Sequence, residues 1–268
     1  MMKKILIVFM TLCFMTGCQK TSTNQPIVTN AVVGQASGLE EQQDEIKVEE
    51  PPVDLPVVGN GNLIVIDAGH QARGNNEKEP IGPGASETKA KVTSGATGVV
   101  TGNLESAINL QVALKLQTKL TASGYEVIMV RTSQDVNISN RERAAIANEN
   151  GAAVFIRLHC NSDDASSTKG TLTMAPSKSN PYCSQIAKRC QNLSKSVLNQ
   201  LCRQTGSKNR GVMLSDTMSG INWCQVPVTI VEMGFLSNPE EDRLLNDEGY
   251  QDKIVTGIVL GINEYLGR

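Results

Sequence analysis

Histidine is nearly absent from this chain, with two in 268 residues, and aromatic side chains make up only 3% of it. So few rings leave little on which to stack sugars or bases. An excess of one charge is missing too: 25 Lys and Arg face 27 Asp and Glu, with no basic run, which excludes nucleic acid as an expected partner. Among seven cysteines there is no Cys-x-x-Cys pair, so a thiolate zinc site is not expected. No internal repeat occurs, and no apolar run reaches the roughly 20 residues that a membrane-spanning helix needs.

What is present begins with Lys3 and Lys4, then an apolar run from Ile5 to Phe14, then Met15-Thr16-Gly17-Cys18. Charge, apolar stretch and small residues follow in signal-peptide order. Residues 1–17 resemble a bacterial lipoprotein signal, in which Cys18 becomes the lipidated first residue; an ordinary secretory signal is the other reading. Both imply an extracytoplasmic protein, either anchored to a membrane through a lipid at Cys18 or secreted. Residues 18–60 are polar, acidic from Glu40 to Asp54, and carry Pro51, Pro52 and Pro56. Such a segment cannot bury enough apolar surface to offset its chain entropy and reads as a disordered tether. Residues 61–268 have the size of one domain with its own core.

Within that domain each histidine ends a short apolar run, Leu63-Ile64-Val65-Ile66-Asp67-Ala68-Gly69-His70 and Ala153-Val154-Phe155-Ile156-Arg157-Leu158-His159. In open α/β sheets ligands gather beyond the carboxyl ends of the strands, so two strand-terminal imidazoles can meet as metal ligands. The plainer reading is two unrelated loop histidines. After His70 comes a glycine-rich stretch, Gln71 to Gly102, too long for an ordinary connection and expected to shape or cover a groove. A helix capped by Asn103 follows, with Ile108, Val112, Leu116 and Leu120 at four-residue spacing. Glu105 in its first turn is either a third metal ligand or an ordinary partner of the helix dipole. Glu232 sits in the apolar strand Val226 to Gly234, where a carboxylate is costly to bury. It reads either as a proton acceptor beside a metal or as an edge-strand residue facing solvent. Cys160, next to His159, points to the opposite face and is structural rather than nucleophilic. The five domain cysteines are odd in number, so at least one thiol stays free. Further helices near Ser139–Glu149, Pro181–Thr205 and Ile254–Leu266 alternate with strands at Tyr125–Val130 and Gly170–Met174. The fold class is α/β: a single domain with a central mostly parallel or mixed sheet and helices on both faces.

His70 in Ile-Asp-Ala-Gly-His, Glu105 in Asn-Leu-Glu, His159 in Leu-His-Cys-Asn and Glu232 in Val-Glu-Met-Gly-Phe-Leu-Ser-Asn stand in the order of one family's motifs, together with Arg131-Thr132, Arg143 and Asn238-Pro239-Glu240. Nearly all of residues 61–268 resembles the zinc-dependent N-acetylmuramoyl-L-alanine amidases. The resemblance implies Zn2+ held by His70, Glu105 and His159, with Glu232 as catalytic acid/base. It also implies peptidoglycan as substrate and, as the bond cut, the amide between N-acetylmuramic acid and L-alanine of the stem peptide. Some relatives carry a helix over the metal that an activator displaces; none is identified here, and a protein activator remains an open partner. The rival readings are a zinc peptidase acting within the stem peptide and a non-catalytic amidase-like module that binds or regulates at the wall.

Overall fold

The structure, a computed structural model, describes residues 62–268; the signal segment, Cys18 and the tether lie outside the described residues. In chain order it contains β1 (Leu63–Ala68), β2 (Asn75–Pro80), β3 (Thr88–Val92), α1 (Glu105–Ala122), β4 (Glu126–Met129), α2 (Asn140–Glu149), β5 (Val154–Asn161), β6 (Thr171–Ala175), α3 (Ser184–Thr205), β7 (Asn209–Leu214), α4 (Ser219–Asn222), β8 (Val228–Phe235), α5 (Pro239–Leu245) and α6 (Glu248–Leu266). Six strands make one sheet in the order β4-β1-β5-β8-β6-β7. Strands β4, β1, β5 and β8 run parallel, β6 is antiparallel to β8, and β7 is parallel to β6. The sheet is therefore mixed and mostly parallel, in agreement with the α/β reading.

Strand β1 is buried along its whole length, as expected for a parallel strand covered on both faces. Ile64, Ile66 and Ala68 join Ile156, Leu158 and Cys160 of β5 in one core, under Ile108, Val112, Leu116 and Leu120 of α1 and Ile254, Ile258 and Ile262 of α6. Val65 and Phe155 project to the other face, against Ala144 and Ala147 of α2 and Ile186 and Cys190 of α3. Cys160 thus packs away from His159, and all five cysteines among the described residues are free thiols. No helix among the described residues is long and apolar enough to cross a membrane.

Two local expectations are revised. The Gln71–Gly102 stretch contains an antiparallel hairpin, β2 with β3. Its strands are largely exposed on both sides, so no apolar alternation announces them. Helix α1 takes Leu104, not Asn103, as N-cap, without a side-chain cap. Asn103 instead donates to Asn246 Oδ1 at 2.6 Å. By contrast α2 starts as read, with Ser139 and Glu142 closing a capping box.

The end of β1 is fixed by charge. Asp67 is fully buried, and its two carboxylate oxygens accept from Arg143 Nη1 at 2.6 Å and Arg157 Nε at 2.9 Å. Burial opposes ionisation, yet the guanidinium groups of Arg143 and then Arg157 hold this carboxyl well below the usual carboxylate range. The same arginine layer catches the next carbonyls. Arg131 donates to Ala68 O at 2.7 Å and Gly69 O at 3.1 Å, and Arg143 donates to His70 O at 3.1 Å.

Removing the carboxylate leaves two buried guanidinium groups without an anion, so Asp67→Asn is expected to cost about 3–5 kcal/mol in denaturant unfolding. Because the folded pKa is depressed, this stabilisation is complete above the ordinary carboxylate pKa and is lost as pH falls through the depressed one. The wild type should therefore lose stability on acidification more steeply than the variant, which urea titrations across the acid range would read.

Candidate active site

His70 follows β1 by two residues and is the one non-glycine with positive φ, at 60°, among the described residues. That conformation is strained for a side chain with a Cβ and is held here by the arginine-bound carbonyls around it. His70 Nδ1 lies 2.8 Å from the carbonyl oxygen of Thr93. A carbonyl only accepts, so Nδ1 carries the ring proton and Nε2 presents a lone pair. His159 projects from β5 and Glu105 opens α1, both at the same end of the sheet.

Three atoms converge there. His70 Nε2, Glu105 Oε1 and His159 Nδ1 are each 3.1 Å from the other two. Glu105 is fixed from behind: Oε1 accepts from the Cys160 N–H at 3.0 Å and Oε2 from the Ala96 N–H at 2.8 Å. His159 Nδ1 faces two acceptors and can give its single proton to only one of them. Burial pushes the His159 pKa down to about 4, so the ring is neutral at pH 7. Its Nε2 is buried without a partner. A surplus of lone pairs over protons is what a cation relieves. The triangle also has nearly the edge, about 3.3 Å, of a tetrahedral site with bonds of roughly 2.0 Å. Donor set and spacing therefore fit zinc with one face left open.

Glu232 lies directly beside this triangle, because His159 and Glu232 are register partners in the β5–β8 pair. Strand β8 is interior to the sheet, so Glu232 is not an edge-strand residue; it is half-buried and faces the cleft. Its Oε2 is buried and unpaired, and burial first, then the Glu105 carboxylate, push its pKa up to about 8. A carboxyl poised near neutrality in a cleft suits proton transfer. The cleft encloses about 280 Å³ and is lined by His70, His159 and Glu232 together with Lys89, Val92 and Thr93 of the hairpin side, Arg157 and Ile230 of the sheet, and Met218, Ser219 and Gly220. The long glycine-rich stretch thus does supply one wall of the groove.

All four residues singled out in the sequence meet here. Several supporting residues were not singled out. A Cβ on Gly69 would lie 2.3 Å from the His159 ring, and one on Gly95 would lie 2.8 Å from Glu105 Oε2 and 2.9 Å from the His70 ring. Only glycine lets these backbones approach the converging side chains. Asn109, one turn after Glu105 in α1, donates to Gly69 O at 3.3 Å and links the helix to the turn. Arg157, two residues before His159 and hence on the same strand face, could have been found by that alternation.

Comparison with known proteins gives a consistent picture. A family model described as N-acetylmuramoyl-L-alanine amidase matches residues 64–264. The uncharacterized protein YqiI of Bacillus subtilis is 32% identical over 205 residues, covering 76% of this chain and 85% of that protein. The N-acetylmuramoyl-L-alanine amidase LytC of the same organism is 30% identical over 210 residues, 78% of this chain but only 36% of LytC. Among solved structures, the catalytic domain of CwlV, an N-acetylmuramoyl-L-alanine amidase from Bacillus (Paenibacillus) polymyxa var. colistinus, superposes with a TM-score of 0.62 at 28% identity, covering 77% of this chain and 98% of that one.

If the close glycine contacts set the triangle, Gly95→Ala should weaken zinc binding by roughly 10- to 100-fold in competition with a chromophoric chelator. Gly84→Ala is the control, since Gly84 has a similar positive φ with nothing within 4 Å of its Cβ position. Equal affinities for the two variants would mean that Gly95 does not shape the site.

Proposed function

The chain belongs to the N-acetylmuramoyl-L-alanine amidase family and is a hydrolase of the peptidoglycan amide, and on that premise we propose that His70, Glu105 and His159 hold zinc while Glu232 moves the proton. What carries this reading is the 3.1 Å triangle of His70 Nε2, Glu105 Oε1 and His159 Nδ1, with the Glu232 carboxyl next to it in strand register. Bound there, zinc would supply Lewis acidity for the scissile carbonyl and for water.

The chain's own residues supply the rest. The His70 ring is held in one tautomer by the Thr93 carbonyl, so its lone pair is aimed without searching. The backbone N–H groups of Ala96 and Cys160 keep both Glu105 oxygens in place. Glu232 Oε2 has no competing partner among the described residues and, in the ionised form that a cation bound beside it would favour, can accept a proton from the attacking water and return it to the nitrogen of L-alanine as the amide breaks. The hairpin and the 217–220 segment wall off the reacting bond, which strengthens each of these interactions. No covalent link to the enzyme is needed.

Export belongs to the same proposal. The order of Lys3-Lys4, apolar run and Cys18 supports a lipid attached at Cys18, and the polar 18–60 segment supports a tether reaching from a membrane towards the wall.

Digestion of purified peptidoglycan by residues 61–268 should release whole stem peptides with L-alanine at the amino terminus, seen by mass spectrometry, and a chelator should stop it until zinc is returned. Glu232→Gln should keep zinc and fold while lowering turnover by about 10²- to 10⁴-fold. Peptides cut inside the stem would point to a peptidase, and intact strands despite bound zinc to a binding module.

A further inference from the structure

The cleft continues past the proposed centre along the sheet. Glu232 and Ile230 share one face of β8, and His159 and Arg157 share the same face of β5, with Arg157 in register with Ile230. Arg157 is 3% exposed. Its Nε is used on Asp67 Oδ2 and one terminal nitrogen, Nη2, on Asn140 Oδ1 at 2.8 Å. The other, Nη1, has no hydrogen-bond partner among the described residues and lies against Gly220, where a Cβ would be 1.3 Å from it. Asp67 is paired with Arg143 and Arg157, while Arg131 spends its donors on the carbonyls of Ala68, Gly69, Ser106 and Ser133. At the mouth, Lys89 of β3 donates to Thr217 O at 2.9 Å and has no carboxylate partner among the described residues. Residues 217–220 therefore touch Lys89 at one end and Arg157 at the other, and both line the cleft that holds Glu232.

We propose that Lys89 and the Nη1 edge of Arg157 form a carboxylate subsite on the leaving-peptide side, which takes the α-carboxylate of the acidic residue following L-alanine in the stem. The proposal rests on the amidase reading and names a specificity that reading leaves open. Glu232 gives its proton to the departing nitrogen, so the peptide runs on from Glu232. Two residues of strand separate the His159–Glu232 level from the Arg157–Ile230 level, roughly 6.6 Å. That is about the reach from the scissile nitrogen across one alanine to the next residue's α-carboxyl, at no more than about 3.3–3.6 Å per residue. A guanidinium edge with an unused donor and an ammonium with spare protons match the two oxygens of a carboxylate and leave an amide poorly served.

The test compares kcat/KM on matched soluble peptidoglycan fragments whose second stem residue is D-glutamate with its α-carboxyl free or amidated. The zinc-loaded wild type should favour the free acid by about tenfold. Lys89→Met should bring the ratio close to one, and Lys89→Arg should restore it; a merely structural role would change both substrates alike and leave the ratio. Equal rates on the two substrates in the wild type, or an unaltered ratio in Lys89→Met, would overturn the subsite while leaving the amidase intact. Cleavage of neither substrate would overturn the amidase reading itself and the subsite with it.

Discussion

Asp67 sits between the guanidinium groups of Arg143 and Arg157 with no access to water, and the geometry of the site follows from that ion triad. Removing three charges from water is expensive, and close charge-assisted hydrogen bonds are what offsets the cost. Once Arg143 is pinned by Asp67, its other nitrogen reaches the carbonyl of His70, while Arg131 holds the two carbonyls before it. A backbone strain of about 1–3 kcal/mol at His70 is thereby sustained, and the imidazole is turned back over the sheet edge. The same carboxylate orients Arg157 along the cleft floor. One buried acid therefore links a proposed ligand, the turn that carries it and the surface on which substrate would lie.

The site sets like charges near one another without matching counter-charges. Glu105 is buried, Glu232 is half-buried with its Oε2 buried, the His159 ring is neutral, and Arg131 and Arg143 are spent on Asp67, Gln71 and backbone carbonyls. Burial and the Glu105 carboxylate both disfavour the Glu232 charge, and its Oε2 has no partner among the described residues. A fold that tolerates this has to be rigid elsewhere. Both apolar clusters, with α1 and α6 over one face and α2 and part of α3 over the other, enclose the strands that carry these groups. Functional strain is commonly stored in this way on a well-packed frame.

Much of this was legible in the chain. The scarcity of histidine made its two occurrences conspicuous, and apolar runs ending in His70 and His159 encode adjacent parallel strands whose ends must lie together. Glu232 was conspicuous as a carboxylate inside an apolar strand. For Glu105 the residue alone allowed two readings, and only the ordered set of motifs separated them. What stayed hidden depends on tertiary register. Lys89 comes from a hairpin whose two exposed faces leave no periodic signal, and its approach to Thr217 spans 128 positions. The roles of Gly69 and Gly95 exist only because other chain segments pass within contact of them. Asn103 failed as a cap because Asn246, from the far end of the sequence, offered it a better partner.

The place of Glu232 on β8 sets a schedule. The three converging side chains come from the turn after β1, from α1 and from β5, all complete by residue 161, whereas Glu232 belongs to a strand beginning at Val228. Until β8 is added, β5 is an open edge and its outer neighbour is missing. A chain emerging amino terminus first thus presents the three converging side chains before Glu232, while the core that packs them is completed only when Val231 and Met233 of β8 and Ile254, Ile258 and Ile262 of α6 arrive. The four side chains stand together only once the sheet has closed around β8.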